Sequence, residues 1–356
     1  MQLATSSCWH GLPRSLLLGF GLTLCGGAPV RAHVKWFVDD GDPAVMAMAP
    51  QNYTLTEPAV LLWTAIALST LALAWWLQRR VADTSSDLQP SHERHGIVSH
   101  GVTLATGASV LALAYAGKLL VPCMPAEVGL LHLMLYAQGI AGALLVVGFG
   151  LGAGAALLVM VWICLTVTMG VADALSSLHL LGLAVFVLLS RSGRTAQGLS
   201  IALWLVRVTL GISLITAALT EKLLDPRAAL VFLQRYPGVN FMQDVGCDYS
   251  NRLFALSAGA CEVIFGALLL CGWMTRATAA GLLTLLLLSN VYFVVAGCPH
   301  EALVEAVGHL PIIGALAVTL ILGRGCSLTQ LRTLMPTVAM GLPVVRTWWR
   351  VRRLER

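Results

Sequence analysis

The chain has 356 residues, 58% hydrophobic and only 11% charged, whereas soluble domains carry about a quarter charged residues. A water-soluble fold does not fit this composition, and no polar stretch is long enough to form a separate soluble domain. The formal charge of +5 comes from lysines and arginines, which in a membrane protein report topology rather than nucleic-acid binding.

The first segment reads as an export signal. Arg14 precedes an apolar run from Leu16 to Cys25, and Val30 and Ala32 occupy the small-residue positions before a cut. The run is too short to span comfortably, so cleavage after Ala32 is favoured over an uncleaved anchor. The mature chain would begin His33, Val34, Lys35, Trp36, Phe37. A free His33 could chelate copper, but no companion histidine is placed to complete a site.

A spanning helix needs about 20 mostly apolar residues. Segments near 58–77, 97–121, 129–149, 154–171, 175–190, 198–222, 253–274, 277–297 and 308–323 approach this, giving about nine spans. With residue 33 outside, Arg79, Arg80, Arg94, Arg191, Arg194, Arg276 and Arg324 all fall on the inner side, as the positive-inside pattern requires. The tail from residue 325 carries Arg332, Arg346, Arg350, Arg352, Arg353 and Arg356 beside Trp348 and Trp349, which reads as a topogenic, solvated inner tail, with a helix lying on an anionic inner leaflet as the alternative. Pro336 and Pro343 argue against a tenth span.

The chain also resembles itself. Gly107, Ser109, Ala114, Lys118, Leu119, Leu120 and Pro122 match Gly211, Ser213, Ala218, Lys222, Leu223, Leu224 and Pro226 at one constant offset. Gln138, Gly142 and Gly148 then match Glu262, Gly266 and Gly272, and His179 matches His309. The expected fold is an all-α polytopic bundle of two tandem four-helix units, 97–197 and 198–324, preceded by a signal (1–32), a short outer segment (33–57) and an extra span with its loop (58–96), and followed by the basic tail (325–356). An even number of spans per unit makes the copies parallel, related by a pseudo-twofold axis along the membrane normal. The repeated glycines are assigned to close helix packing.

Residues 207–324 resemble the DoxX family of small four-helix bacterial membrane proteins, and 97–190 look like a degenerate second copy. The resemblance rests on Arg207 with Gly211, the Lys222, Leu223, Asp225, Pro226 turn, Glu262 with Gly266, Gly272 and Arg276, and His309, Leu310, Pro311 opening the last span. It implies a bacterial inner membrane location. The family includes the DoxD-like part of a thiosulfate to quinone oxidoreductase, and other members are linked with thiol or oxidative-stress systems. The signal, the extra span and the second unit depart from the single-unit pattern.

Where the second unit has Arg207, Glu262 and Arg276, the first has Thr103, Gln138 and Gly152, so a working site is expected in the second. Glu262 lies about 14 Å into its helix, near the membrane centre, where an ionised carboxylate costs at least about 2.5 kcal/mol and must face the bundle, pair or take up a proton. Glu262, Arg207 and His309 are the candidate catalytic residues, with Arg207 or Arg276 as partner to Glu262. Ser213, Asn290, Lys222 and Arg276 are candidate substrate contacts. The same groups could instead fix helix packing, and Lys222 could snorkel to the headgroups.

Cys247 and Cys298 both lie in outer connections, and an oxidising compartment makes a disulfide between them the natural expectation. Cys298, Pro299, His300 lacks the spacing of a zinc site, so no metal site is assigned. Neither a dinucleotide fingerprint nor a haem-attachment motif occurs. The leading functional expectation is a component of a redox system linked to a quinone, meeting membrane lipid and a redox or periplasmic protein partner. A transporter or a non-enzymatic assembly subunit is the alternative.

Overall fold

Lipid offers the backbone no hydrogen-bond partners, so each apolar stretch must satisfy its own amides as a helix. The computed structural model describes residues 33–38, 41–82, 92–124, 129–192, 196–323 and 325–326. The expected signal and residues 327–356 of the tail lie outside the described residues.

A 3-10 turn, His33–Trp36, and helix α1, Pro43–Ala47, lead into α2, Pro58–Ala82. Next come α3 (His92–Tyr115), α4 (Leu130–Val147), α5 (Leu151–Met169), the short α6 (Val171–Ser176) and α7 (Leu178–Ser192). Then α8 (Ala196–Ala218) runs into a π-turn, Leu219–Leu223, followed by α9 (Arg227–Arg235), α10 (Phe241–Asp244), α11 (Asn251–Cys271), α12 (Thr275–Val295) and α13 (Pro299–Leu322). Among the described residues eight helices are long and apolar enough to cross a membrane, and α7 is a shorter apolar helix. The chain is a multi-pass helical membrane protein.

The last helix corrects one expectation. It begins at Pro299 rather than near 308, and Pro311 lies inside it. Pro311 cannot donate to the carbonyl of Val307, four residues earlier. The Ser109 hydroxyl of α3 donates to that carbonyl instead, at 2.7 Å. A matching repair occurs between α6 and α7, where the chain bends at Ser177. Ser213 of α8 accepts from the His179 N–H at 3.0 Å and donates to the Leu175 carbonyl at 3.1 Å. Its hydroxyl thus stands in for a missing helical hydrogen bond, as lipid-embedded helix breaks require.

Helices α3, α4, α5 and α7 pack one on the next, and so do α8, α11, α12 and α13. The last helix of each group lies along the first helix of the other: α7 on α8, and α13 on α3. The shared core between them includes Val102, Phe186, Val206, Leu210, Ala315 and Leu316. In both groups the first two helices cross at glycines. A Cβ on Gly211 would fall 2.7 Å from the Gly266 carbonyl oxygen, and one on Gly142 would fall 2.9 Å from that of Gly107. Close approach of this kind is how helices associate where burial from water gives little drive.

Helix α2 stands beside α11 with most of its apolar surface turned outward. Arg79 and Arg80 lie over Trp75 and Trp76 at 3.9 and 4.3 Å, an interfacial pairing of charge and ring. At the other end of α2 a strap forms: Arg252 binds both carboxylate oxygens of Glu57, at 2.7 and 2.9 Å, while the Tyr53 hydroxyl donates to the Arg252 carbonyl. The two-point contact with Arg252 holds the Glu57 carboxyl far below its ordinary range, at about 2.

Candidate functional site

The π-turn that ends α8 is the local departure on which the site depends. Its wider ring is closed by the Leu224 N–H on the Leu219 carbonyl at 2.8 Å, and it leaves both Glu221 and Lys222 buried. Such turns are rare and gather at functional positions. Gly259 of α11 makes the room: a Cβ there would meet Leu223 at 2.8 Å and Lys222 at 3.1 Å.

The Lys222 ammonium donates to Glu262 at 3.0 Å and lies 3.9 Å from Glu221. Glu221 is fully buried; one carboxylate oxygen accepts from the Val34 N–H at 2.5 Å, and the other has no hydrogen-bond partner among the described residues. On the facing helix α13, Glu305 is buried, accepts from Ser289 of α12 and lies 3.5 Å from Nδ1 of His309. Trp36 packs on His309 with ring centroids 4.9 Å apart, over the bare backbone of Gly308. His179 and Lys222 are both close enough to His309 to act on its charge.

Beside the ion pair lies a cavity of about 460 Å³, walled by Trp63, Leu214, Phe254, Phe265, Leu282, Leu286 and Leu316, with Phe241, Met242 and Tyr249 near one end. Phe254, Ser257, Ala258, Cys261, Glu262 and Phe265 follow one face of α11 at helical spacing. Glu262 is the charged member of a mostly apolar lining. The space exists because α11 and α12 touch only lightly, whereas α4 and α5 pack along their length. Gly154 permits the latter contact, with a Cβ there falling 3.2 Å from Ala141.

Several expected placements change. Lys222 does not reach for the headgroups; it is buried and paired. Arg207 sits far along α8 from Glu262, donating to the carbonyls of Leu269 and Leu270 at the end of α11. There it caps carbonyls that a helix terminus leaves without partners. Gly272, at φ +73°, must be glycine twice over, since a Cβ would also fall 2.4 Å from the Arg207 guanidinium. Arg276, exposed at the start of α12, is 3.5 Å from where a Cβ on Gly323 would stand. Neither arginine is therefore the partner of Glu262. Ser213 serves the α6–α7 bend, and Asn290 returns its amide to Leu286 of its own helix.

The expected Cys247–Cys298 disulfide is absent, and both cysteines are free. Cys298 turns its sulfur back toward the Ala296 carbonyl in its own tight turn, while Cys247 is exposed after α10. Among the described residues no group of three or more histidines, cysteines or carboxylates could hold a metal.

Sequence reasoning missed Glu221, Glu305, Val34 and Trp36. Glu221 stood next to Lys222 in an apolar run, a detectable signal. Glu305 was hidden by starting the last span at 308, which removed its i, i+4 relation to His309. The contacts of Val34 and Trp36 join residues far apart in the chain, and nothing local announces them.

Helices α8 to α12 thus hold the ion pair and most of the cavity. Residues 202–297 match the DoxX family model. That DoxX segment is about a quarter of the chain and contains Glu221, Lys222, Glu262 and Ser289. It stops before α13, so Glu305 and His309 fall outside it. No curated protein and no solved structure matches the chain.

Proposed function

We propose that the DoxX-like part of this protein binds a quinone in the apolar cavity beside the Lys222–Glu262 pair and serves as the membrane component of a redox system. The observation that carries the reading is a roomy, mostly apolar pocket whose charged lining residue, Glu262, is held by Lys222. Its volume is in the range of small-molecule sites, which are mostly apolar with a few placed polar groups. The aromatic and leucine walls fit a ring and an isoprenoid tail. Glu262, held by the Lys222 ammonium behind it, can accept a hydrogen bond from a ring hydroxyl at its carboxylate. A bound quinone supplies two-electron, two-proton redox chemistry, with the electrons coming from a protein partner of the redox class.

The same reading places the protein in a bacterial inner membrane with residue 33 outside and the tail inside. It also treats 97–197 and 198–324 as tandem copies of one unit, which the matched glycine crossings and the paired Ser109 and Ser213 contacts support.

The test is purification from native membranes in mild detergent, followed by quinone analysis of the extracted lipid. Wild type should carry quinone in near-stoichiometric amount, while Leu286→Trp, which fills the cavity, and Glu262→Gln should lose most of it at normal abundance. A wild-type protein free of quinone, or variants that retain it fully, would overturn the reading. A stoichiometric protein partner without quinone would favour an assembly role instead.

A further inference from the structure

The turn His33–Trp36 does not lie loose on the bundle. Val34 and Val38 are buried with Ala228, Ala229 and Ala255, and Phe37 stacks on Phe293 at 5.1 Å. Trp36 fills the notch over Gly308. These contacts fix the backbone at Val34, whose N–H donates to Glu221. One residue earlier in a helical turn the backbone nitrogen of His33 is three covalent bonds away, about 3 Å. That bounds its distance from the same carboxylate oxygen at about 5.5 Å, within reach of a small rotation of the chain end.

That carboxylate lacks a full set of partners. Its second oxygen has none among the described residues. The Lys222 ammonium is 3.9 Å away but makes its close contact with Glu262 at 3.0 Å. Lys35, two residues after His33, lies near enough to act on both Glu221 and Asp225. The buried Glu221 thus shares its nearest ammonium with the partly exposed Glu262, and a fully buried acid group with an open oxygen calls for another cation or a proton.

The sequence favours an export-signal cut between Ala32 and His33 over an uncleaved anchor. We propose that this cut creates an α-ammonium at His33 that docks on Glu221, so that proteolytic maturation supplies the missing cation and locks the segment 33–38 over the site. An uncleaved chain would present a neutral amide at that nitrogen and could not form the ion pair. The step is hydrolysis of the Ala32–His33 peptide bond by a signal-processing protease, with water contributing the new carboxylate oxygen and the protons of the new amine. The inference does not depend on what fills the cavity.

The experiment expresses the full chain in a bacterial host, purifies it from membranes and determines the amino terminus by intact mass. The expected start is His33. An amine-selective acylating reagent at neutral pH then labels the α-amine, read by peptide mapping. Wild type should label at least about tenfold more slowly than Glu221→Gln, as expected when a charge-assisted hydrogen bond must open first. A glycine inserted between Ala32 and His33 shifts the amine by one residue and should restore fast labelling with Glu221 intact, which carries the test if Glu221→Gln does not accumulate. A start elsewhere than His33, or wild-type labelling as fast as in the insertion variant, would overturn the proposal.

Discussion

Gln138 and Glu262 occupy matching places in two similar helix pairs, α3 with α4 and α8 with α11, yet they end in opposite circumstances. The Gln138 amide is spent on the backbone: it accepts from the Leu120 N–H at 2.8 Å and donates to the carbonyls of Val110 and Lys118 at 2.9 and 3.0 Å. It is fully buried and walls off the turn after α3. Glu262 instead meets the side chain of Lys222 and keeps a quarter of its own side chain exposed beside the cavity. A neutral amide with several donors and acceptors can close a gap, whereas a carboxylate only accepts and brings a charge that demands a cation. The first group thus uses this position for structure, and the second leaves a charged group at the edge of the cavity.

The largest effect should come where the two groups are most alike. Gly107→Leu and Gly211→Leu each force a side chain into a neighbouring backbone at under 3 Å, and each should cost about 3 kcal/mol of stability by overpacking. Thermal unfolding in detergent measures this; tolerance of one substitution but not the other would break the likeness between the crossings.

Gln138→Leu and Glu262→Gln should then separate the groups. The leucine strands a buried N–H and two carbonyls, for a loss of about 2 kcal/mol or more. The glutamine at 262 still accepts from Lys222 at a partly exposed site and should cost no more than about 1 kcal/mol. The same melting experiment in reverse order would mean that Glu262 is the structural member.

Ser213→Ala removes two contacts at the α6–α7 bend and should cost about 2 kcal/mol, against about 1 for Ser109→Ala. Adding Pro311→Ala to Ser109→Ala returns a donor to the Val307 carbonyl, so the double variant should regain most of the loss in a mutant cycle. No recovery would show that the hydroxyl serves something other than the proline break.

The smallest effect is at the exposed strap. The Glu57 carboxyl is depressed from 4.5 to about 2 by Arg252, so its stabilising contribution is fully present above about 4.5 and fades as pH falls through about 2. Amide exchange at the start of α2 should rise slightly over that window, and Glu57→Gln should flatten the change. An unchanged profile in the variant would assign it to other groups.

The spans were legible from the sequence because lipid imposes a local rule: a long apolar run must be a helix, wherever it packs. The glycine crossings were legible for a related reason, since small residues at fixed spacing state where backbones approach. Glu262 stood out as a charge in an apolar helix, and Lys222 as a lysine ending the span before it. Their pairing did not stand out, because it depends on a π-turn at the end of α8, and hydropathy says nothing about which way a helix end turns. Arg207 was drawn to Glu262 by sign alone, while the distance along α8 sends it to the carbonyls closing α11.

Composition and the order of apolar runs by themselves determined a membrane bundle and the helix that carries its polar residue. Only the tertiary structure decided that Lys222 is the partner, that α11 and α12 stand apart enough to leave a cavity, and that Val34 and Trp36 close over the buried acids. Crossing the bilayer is a free energy summed over one segment, whereas a partner is chosen by the rotation and spacing of several helices at once.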